Sequence, residues 1–160
     1  MAQDAAPGDT TIDRLPVVEF AFPGPLRDRI VAAILAGEKT ATSSLLQEYD
    51  DPDEPLPVVG GRGAVVDSAG ERVGIVRVVD VRIVPLGDVP LDHALAEGEG
   101  YSSVSDWRAG HERFWTSEAM RAELGGDFVV SDELPVVLET FVLEGRAPQR
   151  AGHPEAQPES

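Results

Sequence analysis

Apolar and polar positions along the chain change period several times, and the changes mark the expected elements. Val17 to Phe22 is a short, mostly apolar run that predicts a strand. Pro23-Gly24-Pro25 breaks it, with Pro25 placed for the first turn of a helix. Leu26, Ile30, Ala33, Ile34 and Gly37 then recur at helical spacing, with Arg27 and Arg29 off the stripe and Gly37 at the stop. A proline-rich acidic loop follows at 50–57. Arg62 to Asp67, a turn at Ser68-Ala69-Gly70 and a run from Arg72 to Val84 predict a β-hairpin with a long second arm. Asp88 to Ala96 predicts a short helix, and Ser103 or Ser105 caps a longer one to about Ala122. Val104, Trp107, His111, Phe114 and Trp115 lie toward one side of it. Gly125-Gly126 ends that helix, and Pro135 to Leu143 is a closing strand. Strands flanking helical insertions predict a small α+β barrel rather than alternating βαβ units. Residues 1–15 and 146–160 carry no apolar period and are expected to be disordered tails around one domain, 16–145.

The long arm poses a problem of its own. Its odd positions, Val73, Ile75, Arg77, Val79, Val81 and Ile83, are apolar except for Arg77. A cation on a buried face is costly unless paired or facing a wet cavity. Either Arg77 lines a pocket and meets an anion or a base edge, or a bulge near Gly74 shifts the register and turns it outward.

Composition narrows the function classes. A chain of 160 residues suits one domain with a real core. Hydrophobic residues at 42% and charged residues at 26% are globular values. A net charge of −16 argues against a protein that coats long nucleic acid, so no extended DNA groove is expected. Most of the acid excess lies in residues 83–144, while most arginines precede it. The lack of cysteine removes disulfides, thiolate zinc sites and cysteine nucleophiles together. The opening MAQDAAPGDT has neither basic residues nor an apolar core, so a signal peptide is not expected. No apolar run approaches the roughly 18 residues of a membrane span, and the expectation is a cytoplasmic protein without a membrane partner.

The fingerprints of dinucleotide folds, P-loops and nucleophile elbows are missing. His93, His111 and His153 have no metal spacing, so neither metal nor cofactor is expected. Lys39 is the only lysine beside twelve arginines, and lysine, unlike arginine, can be tuned toward neutrality. Lys39 and Thr42 lie on the tight segment after a helix stop, where a lysine can take a proton from a hydroxyl. Glycines on both sides of Glu99, in Glu97-Gly98-Glu99-Gly100, let the backbone bend to present one carboxylate. The same residues also fit a capped helix end and a solvated turn.

Four segments in order resemble the ASCH domain family, relatives of PUA-type RNA-binding barrels. They are Gly37-Glu38-Lys39-Thr40-Ala41-Thr42 with its following Ser43-Ser44-Leu45-Leu46, the Glu97–Gly100 segment, Trp107-Arg108 with His111 and Phe114-Trp115, and Pro135-Val136-Val137. The resemblance implies an α+β fold, a PUA-like β-barrel with flanking helices around a cleft, and a tie to RNA or nucleosides. Some members remove acetyl from acetylcytidine with a Lys, a Thr and a Glu. Carried over, these are Lys39, Thr42 and Glu99, with Glu97 as the fallback. Ser43, Ser44, Arg77 and Tyr101 are the candidate substrate-binding residues, and the expected partner is a nucleoside or short RNA. The alternative is an RNA-binding module, with weak ribonuclease activity or none, gripping through Arg27, Arg29, Arg62, Arg72 and Arg82. Tyr101, where relatives carry an acid, and Val78 and Val79, where they carry hydroxyls, depart from the family pattern.

Overall fold

The computed structural model describes residues 11–125 and 128–147. In chain order the elements are α1 (Thr11–Arg14), β1 (Val17–Val18), α2 (Pro25–Leu35), β2 (Ala41–Leu45), β3 (Arg62–Val66) and β4 (Arg72–Pro85), then α3 (Leu91–Ala96), α4 (Val104–Trp115), α5 (Glu118–Leu124) and β5 (Pro135–Arg146). The fold is α+β. Its strands form one mixed sheet in the order β1-β3-β4-β5-β2, a half-barrel with helices around it. Among the described residues no helix is long and apolar enough to cross a membrane.

The β3–β4 hairpin turns where expected, with Asp67 Oδ1 accepting from the amides of Ala69 and Glu71 at 3.0 and 2.9 Å. β4 then pairs antiparallel with β5 along its length, from Gly74 opposite Arg146 to Pro85 opposite Pro135. The register slips between Ile75 and Val76 and again between Val78 and Asp80. The burial of β4 itself settles the Arg77 question. The buried positions are the even ones, Gly74, Val76 and Val78, and Arg77 faces outward to Glu144 with Nε 2.7 Å from Oε2. Both faces of β4 are apolar because both are partly covered, so alternation alone misassigns the buried side. On one side Ile30, Val31 and Ile34 of α2 pack on Val65, Val76 and Phe141. A second cluster joins Leu45, Val136 and Leu138 to Trp107 and Trp115 of α4 and Met120 of α5.

Three boundaries differ from the pattern-based expectation. The first strand shrinks to Val17–Val18, because the buried guanidinium of Arg27 takes the carbonyls of Phe20 (3.2 Å) and Ala21 (2.7 Å) out of any ladder. The long helix is two: Ser117 accepts from the Met120 amide at 3.3 Å and starts α5 afresh after α4 stops at Trp115. Ser103, as expected, caps α4 through the Asp106 amide at 3.0 Å. The helix expected from Asp88 starts only after Pro90. Of the tails, residues 1–10 and 148–160 lie outside the described residues. Residues 11–14 form α1, against the expected disorder, because Arg72 Nη1 donates to Ile12 and Leu15 carbonyls at 2.8 Å each. Arg146 still belongs to β5.

Arg27 is the test of this frame. Arg27→Met keeps the apolar stem but strands the three carbonyls of Phe20, Ala21 and Asp67, which costs about 1–3 kcal/mol per buried unsatisfied group. Glu19, 64% exposed, contributes little to the same cluster. Urea unfolding should show a clear drop in midpoint for Arg27→Met and almost none for Glu19→Gln; equal effects would place the stabilisation in the ion pair instead.

Candidate functional site

The site forms where the ends of α2 and α3 meet edge strand β2. Past α2, Gly37 turns at φ +80° and the amides of Glu38 and Lys39 both return to the Ala33 carbonyl, at 2.9 and 3.1 Å. Thr40 N then donates to Ala96 O at 2.8 Å, which docks the segment on the end of α3. Gly98 (φ +65°) lies so close that a Cβ there would be 2.2 Å from the Glu38 carbonyl oxygen. Only glycine allows both the turn and the approach. Glu97 and Glu99 are thereby held on either side of Lys39.

Lys39 is 1% exposed. Its Nζ donates to Ala41 O at 2.8 Å, Glu97 O at 3.3 Å and Glu99 Oε2 at 2.7 Å. An ammonium has three hydrogens, and each finds an acceptor, which offsets the cost of burying the charge. Glu99 is the accessible partner, its side chain 19% exposed.

Glu97 is fully buried and plays a different part. Its Oε2 accepts from Ser43 Oγ and from Trp107 Nε1 at 2.9 Å, with His93 Nε2 3.2 Å away. Its Oε1 has no aligned hydrogen bond and is compensated by charge, from His111 Nε2 at 3.1 Å and Lys39 Nζ at 3.7 Å. Burial pushes the Glu97 carboxyl up, but the contacts of His111 and His93 and the charges of Lys39 and His111 outweigh it. They hold it well below the ordinary carboxylate range.

The hydrogen positions follow from the partners. His111 Nδ1 meets the Trp107 carbonyl at 2.9 Å and is therefore a donor, and the Glu97 carboxylate beside Nε2 favours the imidazolium. Burial opposes that charge, yet the contact with Glu97, the Glu97 charge and the Trp107 carbonyl raise His111 above the ordinary imidazole range. The ring stacks on Trp107 at 4.4 Å. Ser43 has one proton and gives it to Glu97, so the 2.8 Å contact from His93 Nε2 is a donation to Ser43. The carboxylate that takes this hydrogen bond, Glu97, is held well below its ordinary range and is a weak base. Ser43 is tied down rather than activated.

Strand alternation separates the other candidates. Ala41, Ser43 and Leu45 face the helices, while Thr42 and Ser44 lie on the opposite face of β2, where Ser44 Oγ meets Tyr49 OH at 2.7 Å. Thr42 is not among the Lys39 acceptors; it pairs across the sheet with Glu139. Burial raises the Glu139 carboxyl, and the Lys39 charge works against that, so the Lys39 field reaches both faces of the edge. Tyr101 stands beside Glu99 with its hydroxyl packed on Gly110, and burial followed by the charges of Glu99 and Glu97 raises it. The structure thus gathers Lys39, Glu99, Ser43 and Tyr101, leaves Thr42 and Ser44 round the strand edge, and puts Arg77 elsewhere.

The sequence pattern places His111 with the aromatic side of the long helix and gives His93 no role. The four-residue spacing of His93 and Glu97 on one helical turn was the available signal. A cavity of about 230 Å³ bounded by Leu46, Gln47, Asp50, Leu134 and Pro135 holds none of these groups. Among the described residues, no group of three or more His, Cys, Asp or Glu side chains is arranged to hold a metal ion.

Comparison with known proteins bears on the family and the fold. The family model of the ASCH domain matches residues 19–144. Among solved structures, protein EF3133 from Enterococcus faecalis V583 is similar at 25% identity and a TM-score of 0.70, over 82% of this chain and 77% of that one. An ASCH domain from Lactobacillus crispatus JV V101 is similar at 28% identity and a TM-score of 0.68, over 81% and 80%. No curated protein matches.

The Glu97–His111 pair predicts a stability window. A carboxyl held low in the fold stabilises above its unfolded value and loses that contribution as the pH falls toward its folded one. An imidazole held high stabilises below about 6.5 and loses its contribution as the pH rises through its folded value. The difference in urea midpoint between wild type and Glu97→Gln should therefore be largest between about pH 4.5 and 6.5 and shrink on both sides. A difference that does not vary with pH would mean that packing, not charge, holds the cluster.

Proposed function

The chain belongs to the ASCH domain family, and on that premise we propose that it hydrolyses an acyl amide on a modified nucleoside of the acetylcytidine class. The observation that carries the reading is the contact of buried Lys39 with half-open Glu99 at 2.7 Å. One proton can move along that contact, and Glu99 can then present it to a bound molecule. Lys39 passes a proton to Glu99 and takes one from the Thr42 hydroxyl as its oxygen bonds to the acyl carbon. Glu99 gives its proton to the leaving amine as the C–N bond breaks. Water then opens the Thr42 ester and releases the acid, returning the proton to Thr42. Thr42 lies round the strand edge from Lys39, so this step requires its hydroxyl to turn to that edge and pass its proton through a bridging water. Apo contacts of catalytic groups are commonly loose.

The RNA-track reading has less support. Arg27 is buried on carbonyls, Arg62 is paired with Glu144, Arg72 caps α1 and Arg82 pairs with Asp80 at 3.4 Å. Of the arginines assigned to such a track only Arg29 is without a hydrogen bond or ion pair among the described residues.

Release of cytidine from acetylcytidine by the purified protein is the first test. Glu99→Gln, close in shape and 19% exposed in the wild type, should fold normally and keep KM within a few-fold. Its kcat should fall by about 10²–10⁴. Thr42→Ala should remove turnover where Thr42→Ser retains part of it. No turnover by well-folded wild-type protein, or full turnover by Thr42→Ala, would sink this reading.

A further inference from the structure

Hydrolysis through an acylated Thr42 needs a base twice, once for the hydroxyl and once for the water that opens the ester. Lys39 and Glu99 act from the helix side of β2, whereas Thr42 belongs to the opposite face. What stands beside Thr42 there follows from the ladder. Thr42 is directly opposite Glu139 of β5, and opposed residues of an antiparallel pair share a face with Cβ atoms about 4.5–5.5 Å apart. On its other flank Glu139 is opposite Val81 of β4, so its polar cross-strand neighbour is Thr42. Other polar groups of this region are committed: Ser44 Oγ and Tyr49 OH are 2.7 Å apart, and Glu48 accepts from the Leu45 amide at 2.8 Å. Burial pushes the Tyr49 hydroxyl up to about 12, so it is no base near neutral pH. Glu139 is different. It is partly buried, yet its carboxylate has no hydrogen bond or ion pair among the described residues, and neither has the Thr42 hydroxyl. Covered carboxylates are ordinarily satisfied, as Glu97 is, so a half-covered one left open beside a hydroxyl is a base kept for a reacting molecule.

We propose that Glu139 is the general base of the second half of the reaction, the opening of the Thr42 ester. Its carboxylate takes a proton from a water molecule as the water oxygen bonds to the ester carbonyl carbon. The bond from that carbon to Thr42 Oγ then breaks, and the proton passes from Glu139 to Oγ. The acid departs with the other hydrogen of the water, and both side chains return to their starting states. The inference rests on the hydrolase reading above and adds the residue that its second half requires. The two side chains are neighbours but are not bonded to each other, which suits a water between them. Burial raises the Glu139 carboxyl, with the Lys39 charge working against it, and a raised carboxyl is the stronger base.

Rapid-quench kinetics with acetylcytidine, read together with the mass of the intact protein, test this. Wild-type protein should release cytidine steadily. Glu139→Gln, close in shape, should release about one cytidine per protein in a burst and then turn over about 10²–10⁴ more slowly. It should carry one acetyl group, mapped by peptide fragmentation to Thr42, and Thr42→Ala combined with Glu139→Gln should carry none. Glu139→Asp, which keeps a carboxylate but sets it back, should show the same defect in milder form, and it decides the matter if Glu139→Gln does not fold. Full turnover by folded Glu139→Gln, or slow turnover with no burst and no acetyl on Thr42, would overturn the inference and leave the hydrolase reading standing. Folded wild-type protein that releases no cytidine would overturn that reading and this step with it.

Discussion

A single buried carboxylate organises this protein. Glu97 has no access to water, and an isolated ion so placed costs several kcal/mol, so its surroundings must provide the missing solvation. They do so from four parts of the chain: Ser43 on β2, His93 on α3, Trp107 and His111 on α4, and Lys39 ahead of β2. Removing any one partner leaves the others arranged around a charge they no longer satisfy. The sheet edge, the short α3 and the long α4 are thus held in register by a shared electrostatic need as well as by the apolar cluster of Trp107, Trp115 and Leu45.

That arrangement divides two neighbouring acids by environment. Glu97 is surrounded on every side and is structural; Glu99, two residues on, shares the same lysine but keeps an open flank. Gly98 between them makes the division possible, since any side chain there would collide with the Glu38 carbonyl and push the loop off Lys39. Proton movement needs a group that can reach a ligand. Of the two carboxylates only Glu99 meets that condition.

The alternation of hydrophobic positions revealed the hairpin, the closing strand and the helix starts, because each is written locally in turn residues, caps and apolar period. It failed where partners are remote. Arg27 removes carbonyls from the first strand, and the packing over β4 buries Gly74, Val76 and Val78 rather than the odd positions. No local pattern encodes those. The site was legible in part for the same reason. Lys39 and Glu99 stood out through an isolated lysine and a glycine-flanked acid, while the roles of His93 and His111 depend on Glu97, which only the fold brings to them.

The distribution of cations completes the picture. In a chain this acidic, arginine serves chiefly to neutralise: Arg62 and Arg77 share Glu144, and Arg108 bridges Glu112 and Asp132. Held below its ordinary range by the hydrogen bonds of Arg77 and Arg62, Glu144 stays ionised, and the outer face of the sheet has little positive charge to offer a polyanion. An extended nucleic acid would meet a surface whose arginines are already taken. The accessible flank of Glu99 beside buried Lys39 is the polar opening left to a ligand of the proposed kind.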